Sequence, residues 1–421
     1  MKSSYKKLGN YIQIVNDRDA DKTVDRLLGV SIRKVLMPSI ANIIGTDMST
    51  YKIIQRNQFA YGPVTSRNGD KISVALLEEF DKAIISQAYT VFEVIDKTEL
   101  LPEYLMMWFR RPEFDRYARF KSHGSAREIF DWAEMCDTEL PIPSIEKQRE
   151  IVREYNIIQN RIALNNQLIS KLEETAQAIY KQWFVDFEFP NDNGKPYKSN
   201  GGEMIESELG EIPKVWEVSK ISSLCQITSS KRIFESEYKK EGIPFYRAGE
   251  IRQKKEGLEI KNLLYISEDK FLKISKSFGY PMPGDILLTA VGSLLGDSYL
   301  VDNEVFYFKD GNVIWFRKFV TEGCNLFLYD YLQSENFKDL LDEIKIGSGQ
   351  SAITIQSLNN KYVIKPSDSI LRLYKKISFS INNGISLNKN HNKKLYELQN
   401  LLLAKMTKVE TEKTLEKILE E

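Results

Sequence analysis

The feature that most constrains this chain is that it repeats itself once, at an offset of 223 residues. The offset carries Phe114 to Phe337, Gly124 to Gly347, Pro143 to Pro366, Ile162 to Ile385, Leu164 to Leu387, Asn165 to Asn388, Leu172 to Leu395 and Glu174 to Glu397. Near the start, Gln13-Ile14 resembles Gln226-Ile227 at a different spacing. A period this long is too large for a solenoid repeat and is of domain size. The chain must therefore build one architecture twice.

Each half ends in a long helix. In the first, Ile151, Tyr155, Ile158, Ile162, Asn165, Ile169, Leu172, Ile179 and Trp183 mark a stripe stepping by three and four, which is a coiled-coil seam. Pro143-Ser144 supplies a start and Pro190 a stop. The second stripe, through Tyr374, Ile381, Ile385, Asn388, Leu395 and Leu402, is more polar but keeps the register. If a pseudo-dyad relates the halves, the helices run antiparallel, and Asn165 and Asn388 either meet at mid-length, fixing register at some cost in stability, or remain solvated.

Strand-like runs such as Gln87 to Val94 and Asn312 to Phe316, bounded by turn residues, precede these helices, with helical patches such as Pro102 to Tyr117. The expected fold class is α+β. Two repeated α+β domains, 1–143 and 217–366, are separated by two long helices forming an antiparallel coiled coil, 144–186 and 367–421, the second with a charged tail. Residues 187–216 are a linker rich in turn chemistry.

Several reactions lack their residues. No Pro-Pro dipeptide occurs, so the Asn/Asp-Pro-Pro-Tyr/Phe loop of an adenine methyltransferase is missing. No GxxxxGK[ST], GxGxxG or GxSxG loop occurs. Cys136, Cys225 and Cys324 lie far apart and there are two histidines, which argues against a zinc site. Met1 to Asn10 has no apolar core, and no apolar run of about 18 residues occurs, which predicts a cytoplasmic protein.

Trp183-Phe184-Val185-Asp186-Phe187, Gly194-Lys195-Pro196-Tyr197-Lys198-Ser199-Asn200-Gly201-Gly202-Glu203-Met204 and Glu208-Leu209-Gly210-Glu211-Ile212-Pro213 with Trp216 resemble the central junction of type I restriction-modification specificity subunits. So does Leu140-Pro141-Ile142-Pro143 followed by Ile145-Glu146-Lys147-Gln148-Arg149-Glu150-Ile151. The resemblance implies a non-catalytic subunit in which each globular half reads one part of a split DNA site. It implies helices that set the spacer and dock two methyltransferase subunits, and two motor-nuclease subunits that join for cleavage. S-adenosylmethionine, ATP and Mg would sit on those partners. One departure is that Asp368 to Tyr374 replaces the Glu-Lys-Gln-Arg-Glu helix head, which puts equal docking of the two methyltransferases in doubt.

Lys+Arg and Asp+Glu are equal at 59 each, unusual for a nucleic-acid binder acting alone. A local excess of +3 between Lys220 and Ile260 points to DNA contact through patches, with partners sharing the phosphate grip. Side chains with paired donors and acceptors in polar turns are the candidate readers. In the first half these are Arg67, Asn68, Lys71, His123, Ser125 and Arg127. In the second they are Lys231, Arg232, Arg247, Arg252, Ser348, Gln350 and Ser351. The competing reading is a coiled-coil scaffold without sequence-specific readout.

Overall fold

The structure, a computed structural model, describes residues 5–19, 24–39, 48–65, 71–124, 128–347 and 351–408. It divides into two compact units: unit 1 holds residues 1–161 and 395–421, and unit 2 holds 162–394. The division falls inside both long helices, so each helix contributes to both cores.

Unit 1 begins with β1 (Tyr5–Lys7), β2 (Ile12–Val15), β3 (Leu27–Val30), β4 (Leu36–Pro38), β5 (Lys52–Gln55), β6 (Gln58–Gly62), β7 (Ser73–Leu76), β8 (Lys82–Ile85) and β9 (Thr90–Val94). Helices α1 (Pro102–Arg110), α2 (Pro112–Lys121) and α3 (Trp132–Asp137) follow, then β10 (Glu139–Pro141) and α4 (Ile145–Phe184). One sheet has the order β2-β9-β6-β7 and the other β4-β3-β8-β5. Proline at the first turn starts both α1 and α2, where its missing N–H costs nothing. Leu105, Met106 and Phe109 of α1 are buried in the core over the first sheet, where Phe59 and Phe92 stack at 4.7 Å.

Unit 2 holds β11 (Met204–Ser207), β12 (Gly210–Pro213), β13 (Glu217–Lys220), α5 (Ile221–Leu224), β14 (Gln226–Thr228), β15 (Ile243–Tyr246), α6 (Ala248–Glu256), β16 (Leu264–Ile266) and α7 (Glu268–Ser277). It continues through β17 (Ile286–Thr289), β18 (Ser298–Leu300), β19 (Tyr307–Phe308), β20 (Val313–Arg317), α8 (Cys324–Tyr331), α9 (Glu335–Ile344), α10 (Ile355–Asn359), β21 (Tyr362–Lys365) and α11 (Asp368–Lys405). Its sheet β14-β20-β17-β18 reproduces β2-β9-β6-β7 strand for strand. The parallel pair β15–β19 with antiparallel β16 reproduces β3–β8 with β4. The short pair β13–β21 matches β1–β10. The expected α+β duplication is thus the observed one, with α6 and α7 in the second copy having no counterpart among the described residues of the first.

The start of α4 shows why its head motif has that composition. Gln148 is fully buried, accepts from the Leu101 N–H at 2.9 Å, and donates to the carbonyls of Glu99 (2.8 Å) and Pro143 (2.9 Å). Its amide fastens the helix to the loop before α1. In α11 the same place holds Leu371, also buried.

Within unit 2 the two long helices are antiparallel. Trp183 meets Tyr374 at a ring separation of 5.6 Å, and eighteen residues away on each helix Asn165 meets Asn392. The Asn165 Nδ2 donates to Asn392 Oδ1 at 2.8 Å, and Asn392 Nδ2 donates to Asn166 Oδ1 at 2.8 Å. This corrects the expected Asn165–Asn388 pair: Asn388 donates to its own helix at the Gly384 carbonyl. In this register, residues 223 apart would face each other at Gln167 and Asn390, which are both exposed. The pseudo-dyad therefore passes two residues from the asparagines, and Asn165 reaches one turn beyond its counterpart. The stripe also drifts toward the helix end, burying Tyr180 more deeply than Ile179. The double substitution Asn165→Leu with Asn392→Leu is expected to raise the melting temperature while broadening the transition as register loosens. Calorimetry checks this, and a lowered melting temperature would count against it.

One buried charge stands out. Asp330 of α8 accepts from Tyr374 Oη at 2.6 Å and Ser378 Oγ at 2.8 Å, while its Oδ1 is buried without a hydrogen-bond partner. Burial pushes its carboxyl up to about 6, against the opposing pull of those two hydroxyls. The residue 223 positions earlier, Met107, is buried and apolar.

Candidate nucleic-acid interface

Each unit clamps two loops side by side. In unit 1, Ile129 bridges both His123 and Val64, joining the segment after α2 to the β6–β7 connection. The Thr65 N–H donates to the Glu128 carbonyl at 2.9 Å, Thr65 Oγ1 donates to Ser122 Oγ at 3.0 Å, and the Phe130 N–H donates to the Pro63 carbonyl at 3.0 Å. In unit 2, Ala352 bridges Ile346 and Val291. The Gly292 N–H donates to the Ser351 carbonyl at 2.8 Å, and the Ile353 N–H donates to the Ala290 carbonyl at 2.9 Å. Gly124 and Gly347, at φ 131° and 93°, let each second loop leave its bridge in a conformation that side chains resist. The platform is the same in both units although, apart from the Val64/Val291 and Gly124/Gly347 pairs, its residues differ.

This brings the segments that carry Lys71 and His123 to one place. Lys71, exposed, and His123 border the two loops; Arg67, Asn68, Ser125 and Arg127 lie outside the described residues. Of the second-half candidates, Ser351 is in the platform, while Ser348 and Gln350 lie outside the described residues. Arg252 joins it from α6 through Asp297, 3.8 Å away on the β17–β18 connection. Lys231, Arg232 and Arg247 form a separate group. Arg232 pairs with Asp310 at 2.9 Å, Lys231 Nζ lies 4.5 Å over the Phe278 ring, and Arg247 holds Glu250 at 2.5 Å. Burial alone would raise the Glu250 carboxyl, but Arg247 brings it below its ordinary range.

The local basic excess is met by acids, several of them distant in sequence. Arg252 pairs with Glu256 (2.9 Å), Lys255 with Asp297 (3.1 Å), and Lys254 with Glu304. In unit 1, Arg119 pairs with Glu128 at 2.7 Å, and Lys121 with Glu134 at 3.4 Å. The sequence reading missed the Val291–Asp297 connection as a platform member. The signal was there, because it follows β17 as residues 64–71 follow β6.

A second repeated feature lies at the heads of the long helices. In unit 1 a groove of about 450 Å³ is lined by Leu101, Glu103, Arg149, Val152, Arg153, Asn156, Ile157 and Asn160. In unit 2 a groove of about 700 Å³ is lined by Glu322, Ser369, Arg372, Leu373, Lys375, Lys376 and Phe379. Arg149 and Arg372 are 223 apart, as are Arg153 and Lys376. Among the described residues there is no cluster of three or more His, Cys, Asp or Glu able to hold a metal ion. No described helix is long and apolar enough to cross a membrane.

Comparison with known proteins gives a consistent result. The family model "Type I restriction modification DNA specificity domain" matches residues 45–174 and 213–399. The MjaIX type I restriction enzyme specificity subunit of Methanocaldococcus jannaschii is 24% identical, over 74% of this chain and 70% of that protein. The HindI specificity subunit of Haemophilus influenzae is 21% identical, over 89% of this chain and 90% of its own. Among solved structures, the S subunit of a type I restriction-modification system from M. genitalium superposes with a TM-score of 0.57 at 13% identity, covering 96% of this chain and 95% of that one, which is a likeness of fold.

Proposed function

Given that the chain belongs to the type I restriction-modification DNA specificity family and is a specificity subunit, we propose that its two units each read one half of a bipartite, asymmetric DNA site. The observation that carries this reading is the two-loop platform built twice on the same strands. A duplicated platform with diverged side chains suits two half-sites of different sequence. Phosphates hold the chain in register, and base edges are read by the polar side chains of the loops.

The chain performs no chemistry in this reading. Adenine-N6 methylation belongs to two docked methyltransferase subunits carrying S-adenosylmethionine, and cleavage to two motor-nuclease subunits using ATP and Mg. The paired grooves at the heads of α4 and α11 support two copies of one partner. The long helices serve as the spacer between half-sites.

The test is a map of methylated adenines in cells expressing the methyltransferase partner with and without this chain. One split motif is expected to appear only when the chain is present. A methylome that does not depend on the chain would remove the reading. The scaffold alternative predicts no sequence preference in a duplex titration of the assembled complex.

A further inference from the structure

The unit 2 cations Arg232, Arg252 and Lys255, from the locally basic stretch, are not free. Arg232 has an exposed side chain (69%), whereas its partner Asp310 is only 17% exposed. Arg252 is 44% exposed, and Asp297, which faces both it and Lys255, is 27%. In the Arg232–Asp310 and Arg252–Asp297 pairs the acid is the less exposed member and the cation the outward one, while Lys255 and Asp297 are about equally covered. The Asp297 backbone is itself tied down: its N–H donates to the Leu294 carbonyl at 3.1 Å and to Thr289 Oγ1 at 3.1 Å. Asp297 is therefore held by the scaffold, and Asp310 is the more covered member of its pair; each presents a carboxylate to a longer cationic side chain.

Resting on the sequence-reading assignment above, we propose that Asp310 and Asp297 are positioning residues that hold Arg232 and Lys255, with Arg252, until a DNA phosphate displaces them. A phosphate offers these donors the same geometry as a carboxylate. When it takes the cation, DNA sheds a counterion but the bared aspartate recruits one from solution. Each such contact then adds almost nothing to the net ion release that drives binding to arbitrary DNA. This lowers affinity for every duplex equally and leaves base preference unchanged. Unit 1 also pairs cations with acids on non-equivalent residues, Arg119 with Glu128 and Lys121 with Glu134, the acid being the less exposed member only in the second.

The test is the salt dependence of binding of the full-length chain to a short duplex of arbitrary sequence, from about 50 to about 200 mM salt. Freeing one cation in each variant, Asp310→Asn and Asp297→Asn, should steepen the log–log slope by about 0.9 apiece, and the double variant should bind about tenfold tighter at the low-salt end. Adding Arg232→Gln to Asp310→Asn should return that slope to the wild-type value. Asp310→Ser and Asp297→Ser serve if an asparagine variant does not fold, and melting curves check the fold. Slopes equal to wild type in folded variants would overturn the proposal. If those slopes are unchanged while the wild-type chain still directs a split methylation motif, the positioning role fails and the sequence-reading assignment stands. Steeper slopes without any chain-dependent motif would have the opposite meaning.

Discussion

Reversing Arg149 and Arg153 to glutamate is expected to remove one copy of the partner from the assembled complex, and reversing Arg372 and Lys376 to remove the other. Both pairs line grooves at the same point of the repeat, so each variant should leave one site intact. The basic linings fit an acidic partner surface, against which like charges cost several kcal/mol, so a loss of about a hundredfold in affinity, about 3 kcal/mol, is expected per groove. Native mass spectrometry of the co-expressed complex reads the outcome directly, as one partner copy in either variant and none in the quadruple variant. Two copies retained throughout would mean that the grooves are not the docking sites. The grooves also differ. The second carries Lys375 and Phe379 where the first carries Val152 and Asn156. Binding at the second should weaken more steeply with salt, because more of its lining is charged.

The second large effect concerns Asp330. Its folded-state pKa, about 6, lies above the ordinary carboxylate value of 3.8. The folded state therefore holds the proton more tightly than the unfolded chain. Stability from that proton is fully present below about pH 4, is lost as pH rises through 6, and is absent at neutral pH. A shift of about two units corresponds to about 3 kcal/mol. Asp330→Asn should abolish this pH dependence while Tyr374 and Ser378 keep an acceptor. Urea titrations of wild type and variant between pH 4 and pH 8 measure it. The difference in stability between them should move toward the variant as pH rises, and a difference constant across that range would refute the assignment.

The repeat made most of the architecture legible. Pro143 and Pro366 close equivalent strands because each leads into a long helix, and Gly124 and Gly347 share an offset because each leaves a bridge at positive φ. The asparagine pairing was not legible. Sequence offset says which residues are counterparts, but counterparts face each other only where the pseudo-dyad crosses, and that depends on packing across the seam. The charge pattern misled for a similar reason. Counting residues 220–260 includes Arg232, Arg252 and Lys255 but not Asp297, Glu304 and Asp310, which topology folds back onto them. The platform itself was half visible, since one loop carries the repeat offset and the other is displaced by insertions before it.

Unit 1 takes its core from both extremes of the described chain. Strand β1 pairs with β10, and Leu403 near the end of α11 and Met406 just beyond it join Leu8, Leu140 and Tyr155 in one apolar cluster. Connectivity is thus nearly circular. The polypeptide leaves this core along α4 and re-enters it along α11, so the two long helices tie the segments before α1 and after unit 2 into one apolar cluster.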